Sequence, residues 1–209
     1  MKLYDFKRAP NPRRARMIIA EKGLDIQIIP VNLYAKEQLT PEFLAINPAG
    51  TLPVLETEDG TYLTETVAIC RYLELRHPEP RLMGKGATEE ALVLNWNNIV
   101  EQAGFFAVAE MLRNWSPGFR GHVFPGTVAY EQMPELIERG RRRAEQFFDR
   151  IEKRLEQVPY LAGENYSLAD ISLLAVTDFA GWVEITPQEN RPRLANWYAK
   201  ASSRPSAKA

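Results

Sequence analysis

The segment NPAGTLPVLE, Asn47 to Glu56, restricts the possible folds more than any other stretch of the chain. Pro53 stands directly before the apolar pair Val54-Leu55. Proline has no amide hydrogen to give to a sheet ladder, so it belongs at the first residue of a strand or on an edge. A cis bond between Leu52 and Pro53 would turn the chain sharply. It would also leave the Leu52 amide and carbonyl facing outward, free to pair with an extended peptide. Downstream, PVLET, Asp59-Gly60 and TYLT read as a hairpin around a type I′ turn.

The flanking sequence extends this hairpin into a small α/β layer. KLYDF (Lys2 to Phe6) is a short strand. NPRRARMIIAEKG reads as a helix with Asn11 as N-cap, Pro12 at the first helical position and Gly23 just past the end. Ala15, Ile18 and Ile19 share its apolar face. IQIIPV (Ile26 to Val31) is a second strand, placed at an edge by Pro30. TPEFLAIN is a short helix capped by Thr40, and ETVAICRYLELRH (Glu65 to His77) is a helix ended by Pro78. The order over residues 1–78 is β-α-β-α-β-β-α.

Residues 79–87 carry turn residues and read as a linker, and residues 88–209 show no strand pattern. Glu89 to Trp115 is a helical stretch interrupted by Gly104, Ser116 to Gly126 a loop, and Val128 to Gln157 a long helix. NYSLADISLLAVTDFAGW opens with Ser167 and Asp170 three apart before an apolar run, the spacing of a capping box, with Tyr166 and Ile171 placed to staple across it. RLANWYAKASSRPS supplies a last helix. The fold class expected is α/β followed by all-α.

Composition bounds the partners. The formal net charge of −1 over 209 residues argues against nucleic acid or an anionic membrane as a main partner. The basic runs RRAR and RGRRR read as solvated helix faces, although Arg13 is close enough to a helix start to be a candidate anion contact. One cysteine, Cys70, makes neither an intramolecular disulfide nor a metal cluster, so no metal is expected. No N-terminal stretch has a signal-peptide layout and no apolar run is long enough to span a bilayer, so a cytoplasmic location is expected.

NPAGTLPVLE before a hairpin, TETVAI (Thr64 to Ile69) opening the next helix, and YSLADI in a helical second half, together and in this order, resemble the glutathione transferase superfamily, specifically its bacterial, theta- or nu-like cytosolic type. The resemblance covers essentially the whole chain. It implies a thioredoxin-like N-terminal domain with a cis-proline at Pro53, an all-helical C-terminal domain, glutathione as co-substrate, a small hydrophobic electrophile as second substrate, and a homodimer. It further implies that glutathione pairs with the backbone of Leu52, and that its γ-glutamyl end lies at the start of the TETVAI helix with Thr66 on the carboxylate and Glu65 on the ammonium. Gln38 and Lys36 are the candidates for the glycyl end.

Family members activate the thiol with a tyrosine, serine or cysteine near the end of the first strand. The position matching Ser-Pro or Cys-Pro is Ala9 here, which has no donor. A free thiol has a pKa of about 8.5, and lowering it by about 2 units requires roughly 2.7 kcal/mol in favour of the thiolate. Asn11 has a donor amide, and its surroundings resemble the nu-like Thr-Pro-Asn run with the threonine replaced. Asn11 is therefore either a thiol contact, a plain helix cap, or both. Tyr4 lies mid-strand and Cys70 inside a helix, so neither is favoured. Of the apolar residues Phe105, Phe106, Met111, Leu112, Trp115 and Phe119, we expect Phe106, Trp115 and Phe119 at the second-substrate pocket, with Arg113 or Arg120 adding charge. The activity expected is attack of glutathione thiolate on an electrophilic carbon. Glutathione-dependent disulfide or peroxide reduction is the alternative, and a non-catalytic binding module, as in relatives that bind RNA polymerase, is a third reading.

Overall fold

Alternation along KLYD sends Leu3 to one face and Tyr4 to the other, and the stretch forms β1 (Lys2–Asp5). The computed structural model describes all 209 residues. β2 (Gln27–Pro30) runs parallel to β1, while β3 (Val54–Glu56) pairs antiparallel with β1 and β4 (Tyr62–Leu63) antiparallel with β3. The sheet order is β2-β1-β3-β4, so Pro30 does lie on an edge strand. Leu3 and Leu55, paired across β1 and β3, join the main core with Ile18 of α1 (Pro10–Glu21) and Ile69 of α3 (Thr66–Arg76). On the opposite face Tyr4 and Val54 pack with Val31 and with Phe43 of α2 (Pro41–Ile46).

Two local expectations for this layer are corrected. The first helix starts at Pro10 with Ala9 as N-cap, so Asn11 is its second residue and not its cap. Pro10 and Pro12 both fit the first turn, where no intrahelical donor is needed. The hairpin is not type I′. Only Gly60 takes a positive φ, of 84°, and Asp59 does not. Thr57 donates its amide to the Thr61 carbonyl at 2.9 Å and Gly60 donates to Thr57 at 3.2 Å, which defines a three-residue loop with glycine in the left-handed position. Asp59 instead turns its carboxylate back on the Thr61 amide, at 3.1 Å. The far end of α1 closes as anticipated. Gly23 sits at φ 61°, and the Gly23 and Leu24 amides donate to the carbonyls of Ala20 (3.1 Å) and Ile19 (3.0 Å).

The second half is helical: α4 (Ala87–Ile99), α5 (Phe106–Trp115), α6 (Glu135–Leu155), α7 (Leu168–Ala180) and α8 (Pro192–Ser202), followed by a short 3₁₀ turn, Pro205–Lys208. The interruption expected at Gly104 is a π turn, Val100–Phe105, that joins α4 to α5 without a break. Gly104 faces the Phe147 ring, whose Cε1 would lie 2.7 Å from an added Cβ. The helix expected from Val128 begins only at Glu135, after Pro134. Residues 128–134 are a loop fastened to the end of α5. Gln132 Nε2 donates to the carbonyls of Arg113 (2.8 Å) and Ser116 (2.7 Å), and the Met133 amide donates to Asn114 Oδ1 (2.8 Å).

Twelve of the thirteen residues of α7 are buried, as suits a helix packed on all sides at the centre of its domain. The Ser167–Asp170 capping box forms at its start. α1 packs on α3 on one side and on α7 and the Pro205–Lys208 turn on the other, so one core runs through both halves. No helix is long and apolar enough to cross a membrane.

Candidate active site

Sheet topology gathers the candidate residues at one end of the sheet. β1 and β2 are parallel, so their C-terminal ends lie together. β3 is antiparallel to β1, so it begins where β1 finishes, and β4 finishes at that same end. The loops leaving or entering this edge carry Asn11 after β1, Lys36 and Gln38 after β2, Leu52-Pro53 before β3, and Glu65-Thr66 after β4. Gly50 shows how close two of these loops come, since a Cβ there would lie 3.2 Å from the Gln38 carbonyl oxygen.

The Leu52–Pro53 peptide is cis. Neither the amide nor the carbonyl of Leu52 has a partner within the chain, while Asn47 stabilises the preceding turn by donating Nδ2 to the Thr51 carbonyl at 2.9 Å. This is an open backbone edge of one residue, able to accept an extended peptide.

α3 begins at the same edge. Its N-cap residue Glu65 is exposed and makes no side-chain cap bond, and the first amide paired within the helix is that of Ile69, to the Glu65 carbonyl at 2.9 Å. The amides of Thr66, Val67 and Ala68 are thus the orphan donors of the first turn, with the positive end of the helix dipole behind them. Thr66 is buried beside them. An anion fits there, with the Glu65 carboxylate left over for a cation.

α1 presents a different donor inventory. Pro10 and Pro12 have no N–H, the Ala9 amide is used by the Phe6 carbonyl at 2.9 Å, and the Arg13 amide by the Ala9 carbonyl at 3.2 Å. Asn11 alone retains free donors in this turn: its backbone amide and its side-chain Nδ2. Its Oδ1 accepts from Arg14 Nη1 at 3.3 Å.

Gln38 lies in a 3₁₀ turn, Glu37–Leu39, and its Oε1 is buried without a partner in the chain. A buried orphan of this kind costs about 1–3 kcal/mol, which a ligand with a matching group recovers. Lys36 precedes it, exposed and in the left-handed region at φ 56°. Arg13 is placed elsewhere than expected. Its guanidinium spans to the helical domain, donating to Asp178 Oδ2 at 2.6 Å and to the Ala207 carbonyl at 3.1 Å, and it is not left free for an anion.

Two other titratable groups are removed from chemistry by their surroundings. Burial raises the Cys70 thiol to about 12. Burial, with a hydrogen bond to Glu56, raises the Tyr4 phenol to about 12, and that hydroxyl donates to Glu56 Oε2 at 3.0 Å.

Among the apolar residues of the π turn and α5, Phe105, Met111 and Leu112 are core, whereas Phe106 is 54% and Trp115 51% exposed. Phe119 is half-buried against the core. Arg113 is half-buried with no carboxylate partner, and burial depresses its pKa. Sequence reading placed a loop at Ser116 to Gly126 but named no site residue in its far part. Phe124 to Val128 and Tyr130 face Pro48, Ala49 and Thr51 across a groove of about 550 Å³, one residue from Leu52. Its signal was a cluster of large apolar residues inside a Gly/Pro-rich stretch, where periodicity gives no guide.

Two family models match the chain: the glutathione S-transferase N-terminal domain over residues 9–76 and the glutathione S-transferase C-terminal domain over residues 114–205. Glutathione S-transferase 2 of Saccharomyces cerevisiae is 34% identical, in an alignment covering 100% of this chain and 88% of that protein. The crystal structure of Gtt2 from S. cerevisiae superposes with a TM-score of 0.90 at 33% identity, covering 100% and 99% of the two chains. A glutathione S-transferase domain-containing protein of Marinobacter aquaeolei VT8 superposes with a TM-score of 0.90 at 30% identity, covering 99% of each. A thioredoxin-like domain with an open edge at Leu52, joined to a helical domain of this topology, is thus matched along its full length, and the chain belongs to the glutathione S-transferase superfamily and is a glutathione transferase.

Proposed function

We propose that glutathione lies along the gathered sheet edge, with its cysteinyl backbone paired to Leu52 and its γ-glutamyl carboxylate on the first-turn amides of α3 and the Thr66 hydroxyl. Glu65 takes the ammonium, and Gln38 and Lys36 take the glycyl end. Residues 1–78 form the glutathione-binding domain, 79–87 the linker, and 88–209 the domain that supplies the second-substrate pocket, with Phe106, Trp115 and Phe119 on its wall. The second substrate is a small hydrophobic electrophile, attacked at carbon by the thiolate. The protein works as a homodimer in the cytoplasm, in detoxification.

Thiol activation falls to Asn11. The observation that carries this is the donor inventory of α1, in which two prolines and two paired amides leave only the Asn11 backbone N–H and Nδ2 to reach an anion. Hydrogen bonds to a charged acceptor contribute about 1.5–3 kcal/mol each, enough to move a thiol by one to two pKa units. Asn11→Ala removes the side-chain donor and keeps the backbone one. The thiol pKa of bound glutathione, read from its ultraviolet thiolate absorbance, should rise by about one unit, and kcat/KM toward a chlorinated nitroaromatic should fall about threefold at neutral pH as the thiolate fraction drops. An unchanged titration would remove Asn11 from the chemistry.

A further inference from the structure

We propose that Arg14 is a positioning residue that sets which end of the Asn11 amide faces the sulfur. This rests on the reading of Asn11 given above. Arg14 is 2% exposed, and its guanidinium donates from Nη1 to Asn11 Oδ1 at 3.3 Å and from Nη2 to Asn97 Oδ1 at 3.1 Å and Glu101 Oε1 at 2.5 Å. A guanidinium has donors only. It can hold Asn11 by the oxygen and never by the nitrogen. An unconstrained asparagine could present either end, and the oxygen end would repel a thiolate. With Oδ1 anchored on Arg14, Nδ2 and its two hydrogens point away from the guanidinium, so the amide is biased toward donating.

Arg14 is itself held by the helical domain. Glu101 lies in the π turn, and Asn97 on α4 also accepts from Ser172 Oγ of α7 at 2.6 Å. The guanidinium covers the Phe105 ring at 5.2 Å from its centre. Three elements of the second half thus fix an arginine of the first, and through it the donor at the mouth of α1. A lysine at this position would keep the charge but not the planar fork that reaches Asn11, Asn97 and Glu101 together.

The test is a double-mutant cycle read as the thiol pKa of bound glutathione. Arg14→Lys should raise that pKa by roughly half a unit to one unit, and should add nothing further in an Asn11→Ala background, since the effect passes through Asn11. Glu101→Gln, which loosens Arg14 without removing it, should give a smaller rise that also vanishes in the Asn11→Ala background, and it serves if Arg14→Lys fails to fold. A shift with Asn11→Ala but none with Arg14→Lys or Glu101→Gln would overturn the positioning role and leave the Asn11 contact standing. An equal shift from Arg14→Lys with and without Asn11 would show that Arg14 acts by another route and would overturn the proposal. No shift with Asn11→Ala would overturn the contact itself, and the positioning role with it.

Discussion

Lys22 Nζ lies 2.6 Å from Glu74 Oε2, with the two side chains 0% and 7% exposed. Both charges are shielded from bulk solvent. Lys22 also donates to the carbonyls of His77 (2.7 Å) and Pro80 (3.0 Å), and Glu74 accepts from the amides of Leu82 (3.0 Å) and Met83 (3.1 Å). The pair therefore grips residues 77–83 from both sides, tying the end of α1 to α3 and to the segment that leads into α4. Removing one member strands the other charge in the interior, which costs about 3–5 kcal/mol. Glu74→Gln should lower the urea midpoint by an amount corresponding to that range. A change below about 1 kcal/mol would mean that the cluster relaxes to admit water.

Asp170 should prove similarly intolerant. Its carboxylate accepts from the Leu161 amide (3.0 Å), the Ser167 amide (3.1 Å), Ser167 Oγ (3.0 Å) and Trp197 Nε1 (3.0 Å), and the residue is fully buried. Asp170→Ala leaves these donors without an acceptor, at about 1–3 kcal/mol for each one that stays dry. The expected loss is about 3–5 kcal/mol. Asp170→Asn keeps one acceptor oxygen and should lose about half as much. Urea unfolding followed by tryptophan fluorescence measures both, and equal losses would indicate that the negative charge matters more than the count of bonds.

What could be read from the sequence follows the range of the forces involved. Pro53, Pro30, Gly23 and the Ser167–Asp170 spacing act within a few residues, and the structure shows edge strand, helix end and capping box at those places. Asn11 was misplaced because two prolines bracket it and either can open a helix. The observed choice, Pro10, depends on the Ala9 backbone and on no side chain. Arg13 and Arg14 were misread, Arg13 as a candidate anion contact and Arg14 as part of a solvated face, whereas Arg13 is paired with Asp178 and Arg14 is buried. Their partners Asp178 and Glu101 lie 165 and 87 residues away, and only the packing of α1 against the helical domain brings them together. The orphan Oε1 of Gln38 and the groove beside Phe124 are likewise products of loop against loop, invisible to periodicity.

Cys70 gives a direct check on burial. Its thiol is pushed up to about 12 by desolvation, against an ordinary value of about 8.5. Because the folded value is the higher one, the linked contribution to stability is complete below about pH 8.5 and is lost as pH rises through about 12. At pH 8 the native thiol should resist alkylation by iodoacetamide, and labelling should become complete only in denaturant. Cys70→Ala should retain activity within about twofold, since the side chain serves as a small apolar filler. Rapid native labelling, or loss of turnover in Cys70→Ala, would contradict this placement.

Gly140 and Gly181 should respond to the same substitution with opposite signs. At Gly140, within α6, an added Cβ would lie 2.7 Å from Met111 Cγ and 2.9 Å from the Ala107 carbonyl oxygen on α5. Met111 Cγ lies near the base of a buried side chain and the Ala107 oxygen is backbone, so neither can give way and the two helices must separate. Overpacking of this kind costs about 1–3 kcal/mol, against about 1 kcal/mol gained from alanine's better helix propensity. At Gly181, just past α7, φ is −60° and an added Cβ meets nothing within 4 Å. Gly181→Ala should therefore stabilise by about 0.4–1 kcal/mol, by restricting the unfolded chain. For a chain of this length each kcal/mol moves the melting temperature by about 2–4 °C. Calorimetry should show Gly140→Ala melting lower than the parent and Gly181→Ala melting higher. If Gly140→Ala also melted higher, the close approach of α5 and α6 at that residue would be wrong.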